Sequence, residues 1–386
     1  MSLHPSAAIS RPIHKSAPQT DIDTPYFVTN LDAIRKQVMV FKELLPHVEV
    51  YYAIKANNAP EIITAIDDIV DGYDIASLGE AGQLLTLGVH PDRILYSNPV
   101  KIPRHIKGAA EAGIANFAFD SSTEIEKIAA AAPGSTVYLR MSVSDYGSMF
   151  PLSKKFGIDQ SSVIDYCREA RDAGLDVKGI TFHVGSQSEN LQVWETAIKA
   201  AGETVIALQE DGFDIEFVDL GGGFPADYGD PTPGIAEVAR VIEQSVKQYI
   251  PDDIRLMAEP GRYIVANSTY LVTTVIGREH RVGTDWLYLD VGTFQGLMEP
   301  LEMPNMKYPI RTERKSNGPM QGFTITGPTC DACDTLGPDY QLPSDIHVGD
   351  KVYIDATGAY ARVYASTFNG FDIPSVRFVH TDRKVA

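Results

Sequence analysis

A chain of 386 residues, 44% of them hydrophobic, can bury a large core and is expected to form two domains. Its formal charge of −18 disfavours nucleic acid and anionic membrane surfaces as partners and would concentrate a cationic small molecule; the charge also serves simple solubility. No run approaches the ~18 apolar residues that cross a bilayer, and three cysteines fit a reducing cytoplasm better than a disulfide framework.

In chain order, the polar opening segment 1–20 lacks the apolar stretch of a secretory signal. A β-rich run at 25–29 is expected to join a later sheet, and 31–45 reads as a helix. From 48 to 260, β-rich runs at 48–56, 72–77, 94–99, 116–121, 136–143, 177–186, 216–225 and 255–260 alternate with helical segments. These segments include 61–70, 79–87, 122–132, 161–173, 192–211 and 235–250. Strand–helix alternation implies parallel strands joined by crossovers. Eight such units suggest a closed (β/α)8 barrel over 31–264, with an open doubly wound sheet as the alternative. After Arg262 the texture changes to β-rich runs at 263–275, 285–290, 322–326, 351–355 and 376–379 with Gly/Pro-rich connections. Residues 265–386, with 1–30, are therefore expected to form an all-β domain, sandwich-like or barrel-like. The polar stretch 303–319 reads as a mobile loop.

Barrels of this kind carry their active sites at the C-terminal ends of the strands. The reactive residues fall there. Lys55 closes the apolar run Tyr-Tyr-Ala-Ile-Lys and is a candidate Schiff-base amine, although a lysine at a strand end is more often simply solvated. Asp74 ends the second strand and Arg140 lies late in the fifth. His183 and Ser186 end the sixth; a lone histidine there is more often a buried, hydrogen-bonded one. Gly221, Gly222 and Gly223 follow the seventh, where bare amides can approach a phosphate, or merely make a tight turn. Glu259-Pro260-Gly261-Arg262 ends the eighth. Its carboxylate could keep a pyridinium nitrogen protonated and its guanidinium could grip phosphate, or the two could form a local salt bridge.

In the β-rich region the densest polar motif is Gly327-Pro328-Thr329-Cys330-Asp331-Ala332-Cys333-Asp334. With one other cysteine and no nearby histidine, a zinc site is not expected, and the flanking acids disfavour a reactive redox pair. Cys330 and Asp331 read instead as a proton donor beside a cation-binding carboxylate. Tyr360 and Phe368 place aromatic rings near the C-terminus, as core or as a cofactor wall.

Several of these pieces together resemble the pyridoxal-phosphate-dependent basic amino-acid decarboxylases of the alanine-racemase fold (fold type III), the ornithine and lysine/ornithine decarboxylases. The likeness runs in order from about residue 24 to 371 through Tyr-Ala-Ile-Lys-Ala-Asn, Tyr-Asp-Ile-Ala-Ser, Tyr-Ser-Asn-Pro, Lys-Phe-Gly, His-Val-Gly-Ser, Gly-Gly-Gly-Phe-Pro, Glu-Pro-Gly-Arg, Gly-Pro-Thr-Cys-Asp and Ser-Thr-Phe-Asn-Gly-Phe. It implies pyridoxal 5'-phosphate as cofactor and no metal, with Lys55 as the Schiff-base lysine and Glu259 on the pyridinium nitrogen. His183 would stack on the ring. Ser186, Gly221 to Gly223, Gly261, Arg262 and Tyr360 would lie about the phosphate, with Asp74 and Arg140 in support. It further implies Cys330 as proton donor, Asp331 as partner of the substrate's distal ammonium, and Phe368 lining the pocket. These three would act across the interface of a homodimer with shared sites.

One departure concerns substrate length. In Tyr288-Leu289-Asp290-Val291-Gly292-Thr293-Phe294, Val291 stands where the eukaryotic pattern has an aspartate, so either Asp290 or Glu299 becomes the candidate second anchor for the distal amine, or Asp331 acts alone. The expected reaction is decarboxylation of L-ornithine to putrescine in polyamine biosynthesis, with L-lysine to cadaverine beside it. Diaminopimelate decarboxylase and racemase are the alternatives. Asp331 would repel diaminopimelate's distal carboxylate, and Glu259 stands where a racemase of this fold places arginine. A catalytically dead regulatory homologue would have lost Lys55 or the phosphate contacts, and both are present.

Overall fold

The computed structural model describes residues 23–303, 305–316 and 318–381. The opening segment 1–20 lies outside them.

β1 (Tyr26–Asn30) leads into α1 (Leu31–Leu44), whose first turn is capped by Asn30 accepting from the Ala33 amide at 3.1 Å. Leu31, Ile34, Val38 and Phe41 recur at helical spacing and form its buried face. The barrel follows as alternating strands and helices: β2 (Val48–Ala53), α2 (Pro60–Ile66), β3 (Gly72–Ile75), α3 (Leu78–Thr86), β4 (Ile94–Tyr96), α4 (Pro103–Glu111), β5 (Asn116–Phe119), α5 (Ser122–Ala131) and β6 (Thr136–Arg140). After β6 come a short strand β7 (Ser148–Phe150), α6 (Val163–Asp172), β8 (Asp176–Thr181), a second short strand β9 (Ser186–Ser188), α7 (Leu191–Glu210), β10 (Phe217–Asp219), α8 (Ile235–Tyr249) and β11 (Arg255–Ala258). Eight of these strands, β2, β3, β4, β5, β6, β8, β10 and β11, close on themselves, the last pairing in parallel with the first through Leu256 opposite Val48. The closed barrel therefore holds, and the open-sheet alternative falls.

Alternation along the strands divides the core. Val50, Tyr52, Tyr73 and Ile75 belong to the main apolar cluster shared with the helices. Tyr51, Leu95, Ala118, Tyr138, Phe217 and Met257 form a second cluster within the strand ring. Its lower level is filled by the Phe217 ring, which occupies the space a side chain at Gly179 would need, 2.4 Å from an added Cβ. Above it the inward side chains become polar, and these build the site.

The β-rich region adds two short helices, α9 (Arg262–Val265) and α10 (Glu299–Glu302), and strands β12 (Thr269–Arg281), β13 (Thr284–Leu289), β14 (Ile310–Thr312), β15 (Met320–Thr326), β16 (Thr335–Pro343), β17 (Lys351–Ile354) and β18 (Ser375–Val379). They form one mixed sheet in the order β14-β17-β12-β13-β15-β16, with β1 bridging β12 and β18. The early run thus does join the later sheet, antiparallel to β12 with Phe27 opposite Leu271. Three expectations need correction. The β-run expected from 263 begins at Thr269, because Arg262–Val265 coil into a helix, and it continues to Arg281. The loop-like stretch 303–319 contains β14, an edge strand on β17. β16 escaped notice because Gly337, Pro338 and Asp339 interrupt its pattern.

No helix among the described residues is long and apolar enough to cross a membrane.

Candidate active site

The strand ends deliver a compact polar cluster. β2 stops at Ala53, and Lys55 sits in the 3-10 turn Ile54–Ala56 just beyond it, not on the strand itself. Its Nζ pairs with Asp74 Oδ2 at the end of β3. Asp74 is 1% exposed, whereas the Lys55 side chain keeps 38% of its surface open, as an amine that must meet an incoming carbonyl requires. Burial would lower the Lys55 pKa, yet the Asp74 and Glu259 carboxylates outweigh it and hold the amine above its ordinary value, as an ammonium.

Glu259 follows β11 directly and is buried, accepting a hydrogen bond from Ser97 Oγ beyond β4. Ser97 in turn shares a 2.8 Å hydrogen bond with Tyr138 Oη. Burial first, then the carboxylates of Asp219 and Asp74, push the Glu259 pKa well above its usual range. Asp219, at the end of β10 and without exposure, is pushed up to about 6 by burial, although the Gly221 amide (2.9 Å) and Thr181 hydroxyl (2.8 Å) donate to it. Within the pair Glu259 lowers the Asp219 pKa through a side-chain hydrogen bond while the Asp219 carboxylate raises that of Glu259, so Glu259 is the member that favours the protonated form.

His183 lies two residues past the end of β8. Its Nδ1 accepts from the Gly185 amide at 3.0 Å, which leaves the proton on Nε2. Burial, then Arg140 and Lys55, hold its pKa well below the usual value, so the ring is neutral. Arg140, the last residue of β6, lies over the Phe156 ring at 5.1 Å, and its guanidinium makes no hydrogen bond or ion pair among the described residues. Burial lowers its pKa.

The three glycines form a bare cradle beside this cluster. Gly221 has φ +65°, and a Cβ there would lie 2.0 Å from Phe182 O; at Gly223 (φ +109°) it would lie 2.5 Å from Gly185 O. At Gly222 it would come within 2.9 Å of His183 Nε2. Ser186 opens β9 and accepts from Arg262 Nε at 3.2 Å. Gly261 lets this loop close on the lysine turn, where an added Cβ would stand 2.9 Å from Ala56 Cβ. The Tyr360 amide donates to Ala56 O at 2.9 Å, and the Arg262 guanidinium lies 4.7 Å over the Tyr360 ring.

The barrel rim thus gathers Lys55, Asp74, Arg140, His183, Ser186, Gly221 to Gly223, Glu259, Gly261, Arg262 and Tyr360. Four expected residues stand apart. Asp290 spends one carboxylate oxygen on Thr24 Oγ1 and the other on Thr273 Oγ1 (2.5 Å) and the Thr274 amide (3.0 Å), so its assignment as an amine anchor is set aside. Cys330 and Asp331 lie in the exposed connection between β15 and β16, where the Asn369 side chain accepts from both the Cys330 amide and Sγ, each at 3.3 Å. Phe368, 39% exposed, packs tilted against Phe294 with ring centroids 4.5 Å apart. Among the described residues no hydrogen bond, ion pair or ring contact of these three reaches the Lys55 cluster. Sequence reasoning missed Ser97, Asp219, Tyr138 and Tyr228. Asp219 alone carried a signal, as an acid between an apolar strand and a glycine run.

The cluster suits pyridoxal phosphate. Asp74 Oδ1 is buried without a hydrogen-bond partner, the glycine cradle excludes side chains, and the rim supplies one amine, one neutral imidazole and the buried acids Asp74, Asp219 and Glu259. The sequence profile of the pyridoxal-dependent decarboxylase pyridoxal-binding domain matches residues 31–266. A lysine/ornithine decarboxylase of Selenomonas ruminantium is 35% identical over 359 residues, 92% of this chain and 90% of that protein. Antizyme inhibitor 2 of Xenopus laevis is 32% identical, covering 93% of this chain and 82% of that protein. The crystal structure of the Paramecium bursaria Chlorella virus arginine decarboxylase superposes with a TM-score of 0.87 at 27% identity, covering 93% of this chain and 96% of the viral one. The chain belongs to the pyridoxal-dependent decarboxylases of fold type III, and its cofactor is pyridoxal 5'-phosphate.

Proposed function

We propose that this protein decarboxylates L-ornithine to putrescine, with L-lysine to cadaverine as a second activity, in the cytoplasm and in polyamine biosynthesis. The observation that carries the reading is the convergence of the Lys55 amine, the buried Glu259 carboxyl and the Gly221–Gly223 cradle at one barrel rim. The bound cofactor supplies an electron sink for the pair left when the α-carboxylate departs. The protein's residues do the rest.

Lys55 would hold the cofactor through its aldehyde group. Lys55 is held as an ammonium beside Asp74, so its Nζ must give a proton to Asp74 or to water before it can bond the aldehyde. Glu259, whose carboxyl is inclined by burial to its acid form, would face the cofactor's ring nitrogen and hold a proton there. Neutral His183 offers its ring face, and Asp74 and Arg140 hold the surrounding polar contacts. Ser186, the three glycine amides, Gly261, Arg262 and Tyr360 bind phosphate.

Cys330, Asp331 and Phe368 act in this reading on the site of a second copy. Their exposure in the single chain supports it, as do the neighbouring exposed apolar residues Tyr364, Phe371 and Ile373. Cys330 Sγ delivers the proton to the α-carbon, and Asp331 takes the distal ammonium. The free state of Cys167, Cys330 and Cys333 supports a reducing compartment. With Asp290 committed to Thr24, Thr273 and Thr274, and Glu299 paired with Arg262, Asp331 is the remaining candidate carboxylate for the distal amine. A lone anchor selects length weakly, since one methylene is worth ~1–3 kcal/mol, and this favours acceptance of lysine beside ornithine.

The test is carbon dioxide release from L-ornithine, L-lysine, L-arginine and meso-diaminopimelate with added pyridoxal phosphate, alongside Lys55→Ala. The reading expects ornithine to have the highest kcat/KM, lysine to be turned over, and Lys55→Ala to abolish both. Turnover confined to diaminopimelate or arginine would overturn the substrate assignment. No turnover of any would move the protein to the racemase or regulatory classes.

A further inference from the structure

Arg262 is more constrained than a phosphate ligand needs to be. It sits at the start of α9, 4% exposed, and its two Nη atoms meet both oxygens of Glu299, which is 3% exposed, at 2.9 and 2.5 Å. Nη1 also donates to Tyr228 Oη at 2.6 Å, and Nε donates to Ser186 Oγ. A guanidinium has five N–H donors. Four of the five are spent here, and one on Nη2 remains. Glu299 stands on α10 of the β-rich region, so the pair spans the barrel rim and the element that follows the substrate-length segment. No substrate-anchoring role is left to Glu299, since both its oxygens are taken.

A buried arginine without a counter-charge is costly, which explains why a carboxylate meets it. The same carboxylate stands beside the place where the reading above puts the cofactor's phosphate, and an anion there repels phosphate. Phosphate and Glu299 also want the same N–H groups. We propose that Glu299 is the internal counter-anion of Arg262: it holds the guanidinium in place in the cofactor-free chain and competes with the cofactor's phosphate for that guanidinium. Retention of the cofactor is thereby set below what Arg262 alone would give. This rests on the reading of Arg262 as a phosphate ligand.

The sign of the effect follows from the charge. Glu299→Gln keeps the shape and one acceptor but removes the negative charge. The variant binds pyridoxal phosphate tighter by about tenfold or more, because a unit charge a few ångströms from a partly buried phosphate is worth at least that. Binding of pyridoxal, which lacks the phosphate, stays unchanged. The cofactor-free variant unfolds at a lower temperature than wild type, and added inorganic phosphate restores more of its stability than it adds to wild type.

Dissociation constants for pyridoxal phosphate and pyridoxal, read from cofactor absorbance on wild type, Glu299→Gln and Arg262→Gln, decide the matter. Weaker or unchanged binding of pyridoxal phosphate to Glu299→Gln overturns the inference. A raised KM for substrate with unchanged cofactor affinity also overturns it, returning Glu299 to the substrate. Should Glu299→Gln not fold, Glu299→Asp, which withdraws the charge by one methylene, must show the same direction in smaller measure. Arg262→Gln separates the two levels. If it leaves the preference for pyridoxal phosphate over pyridoxal intact, the phosphate role of Arg262 itself fails. If it abolishes that preference while Glu299→Gln does not tighten binding, only the counter-anion role fails.

Discussion

Asp219→Asn is expected to stabilise the cofactor-free protein while impairing the enzyme. The carboxyl is fully buried and its pKa rises from 3.8 to about 6 on folding. A raised acid pKa means that the native state holds more protons than the unfolded chain between those two values. Stability therefore falls as pH rises through that window, and the loss is complete above pH 6. Two pKa units correspond to about 3 kcal/mol. Glu259 shares the proton, so about half of this, some 1–2 kcal/mol, is assignable to Asp219. Asparagine keeps the shape, still accepts from the Gly221 amide, and can donate to Thr181 and Glu259. Its gain over wild type is absent near pH 4, grows to pH 6 and is constant above. For a chain of this length, 1–2 kcal/mol is about 1–2 °C in Tm. The assay is scanning calorimetry of the cofactor-free forms from pH 4.5 to 8, with absorbance of the reloaded enzyme alongside. Parallel pH dependences for variant and wild type would refute the reasoning, because they would place the extra proton elsewhere than on the Asp219–Glu259 pair.

Two further outcomes follow from the geometry. Gly221→Ala forces a side chain into left-handed backbone and onto Phe182 O, so it should lower unfolding stability by more than about 2 kcal/mol and raise the dissociation constant for pyridoxal phosphate; unaltered calorimetry and cofactor titration would count against the cradle. If Cys330 serves a second copy's site, Lys55→Ala and Cys330→Ala, each nearly inactive alone, should recover about a quarter of wild-type turnover when mixed and re-associated, since half the dimers then carry one intact site; no recovery would confine both residues to one chain.

The barrel was legible because its two periodicities are written locally. Apolar runs such as 94–99 and 116–121 are bounded by helical segments with their own caps, and eight repeats leave few topologies. Lys55, Asp74, His183, the three glycines and Glu259-Pro260-Gly261-Arg262 could be placed at strand ends for the same reason. Local pattern failed where pairing is non-local. β16 is held to β15 despite Gly337 and Pro338, and β14 is an edge strand that borrows its hydrogen bonds from β17. The helix at Arg262–Val265 could not be told from the strand after it, because Tyr263, Ile264 and Val265 favour strands yet the loop closing on Ala56 coils them.

The sequence by itself determined which chemistry the site could hold: an amine, an acid, an imidazole and bare amides, each at the end of a strand. Only the tertiary structure decided their charge states and allegiances. Lys55 is an ammonium because Asp74, nineteen residues away, is folded against it. Glu259 and Asp219 have raised pKa values because both are buried and because β10 and β11, joined through α8, pair side by side in the barrel. Asp290 is lost to Thr24, and Glu299 is bound to Arg262. Side-chain type is a property of the chain. Coulomb energy and desolvation depend on distance and burial, and these exist only once the barrel has closed.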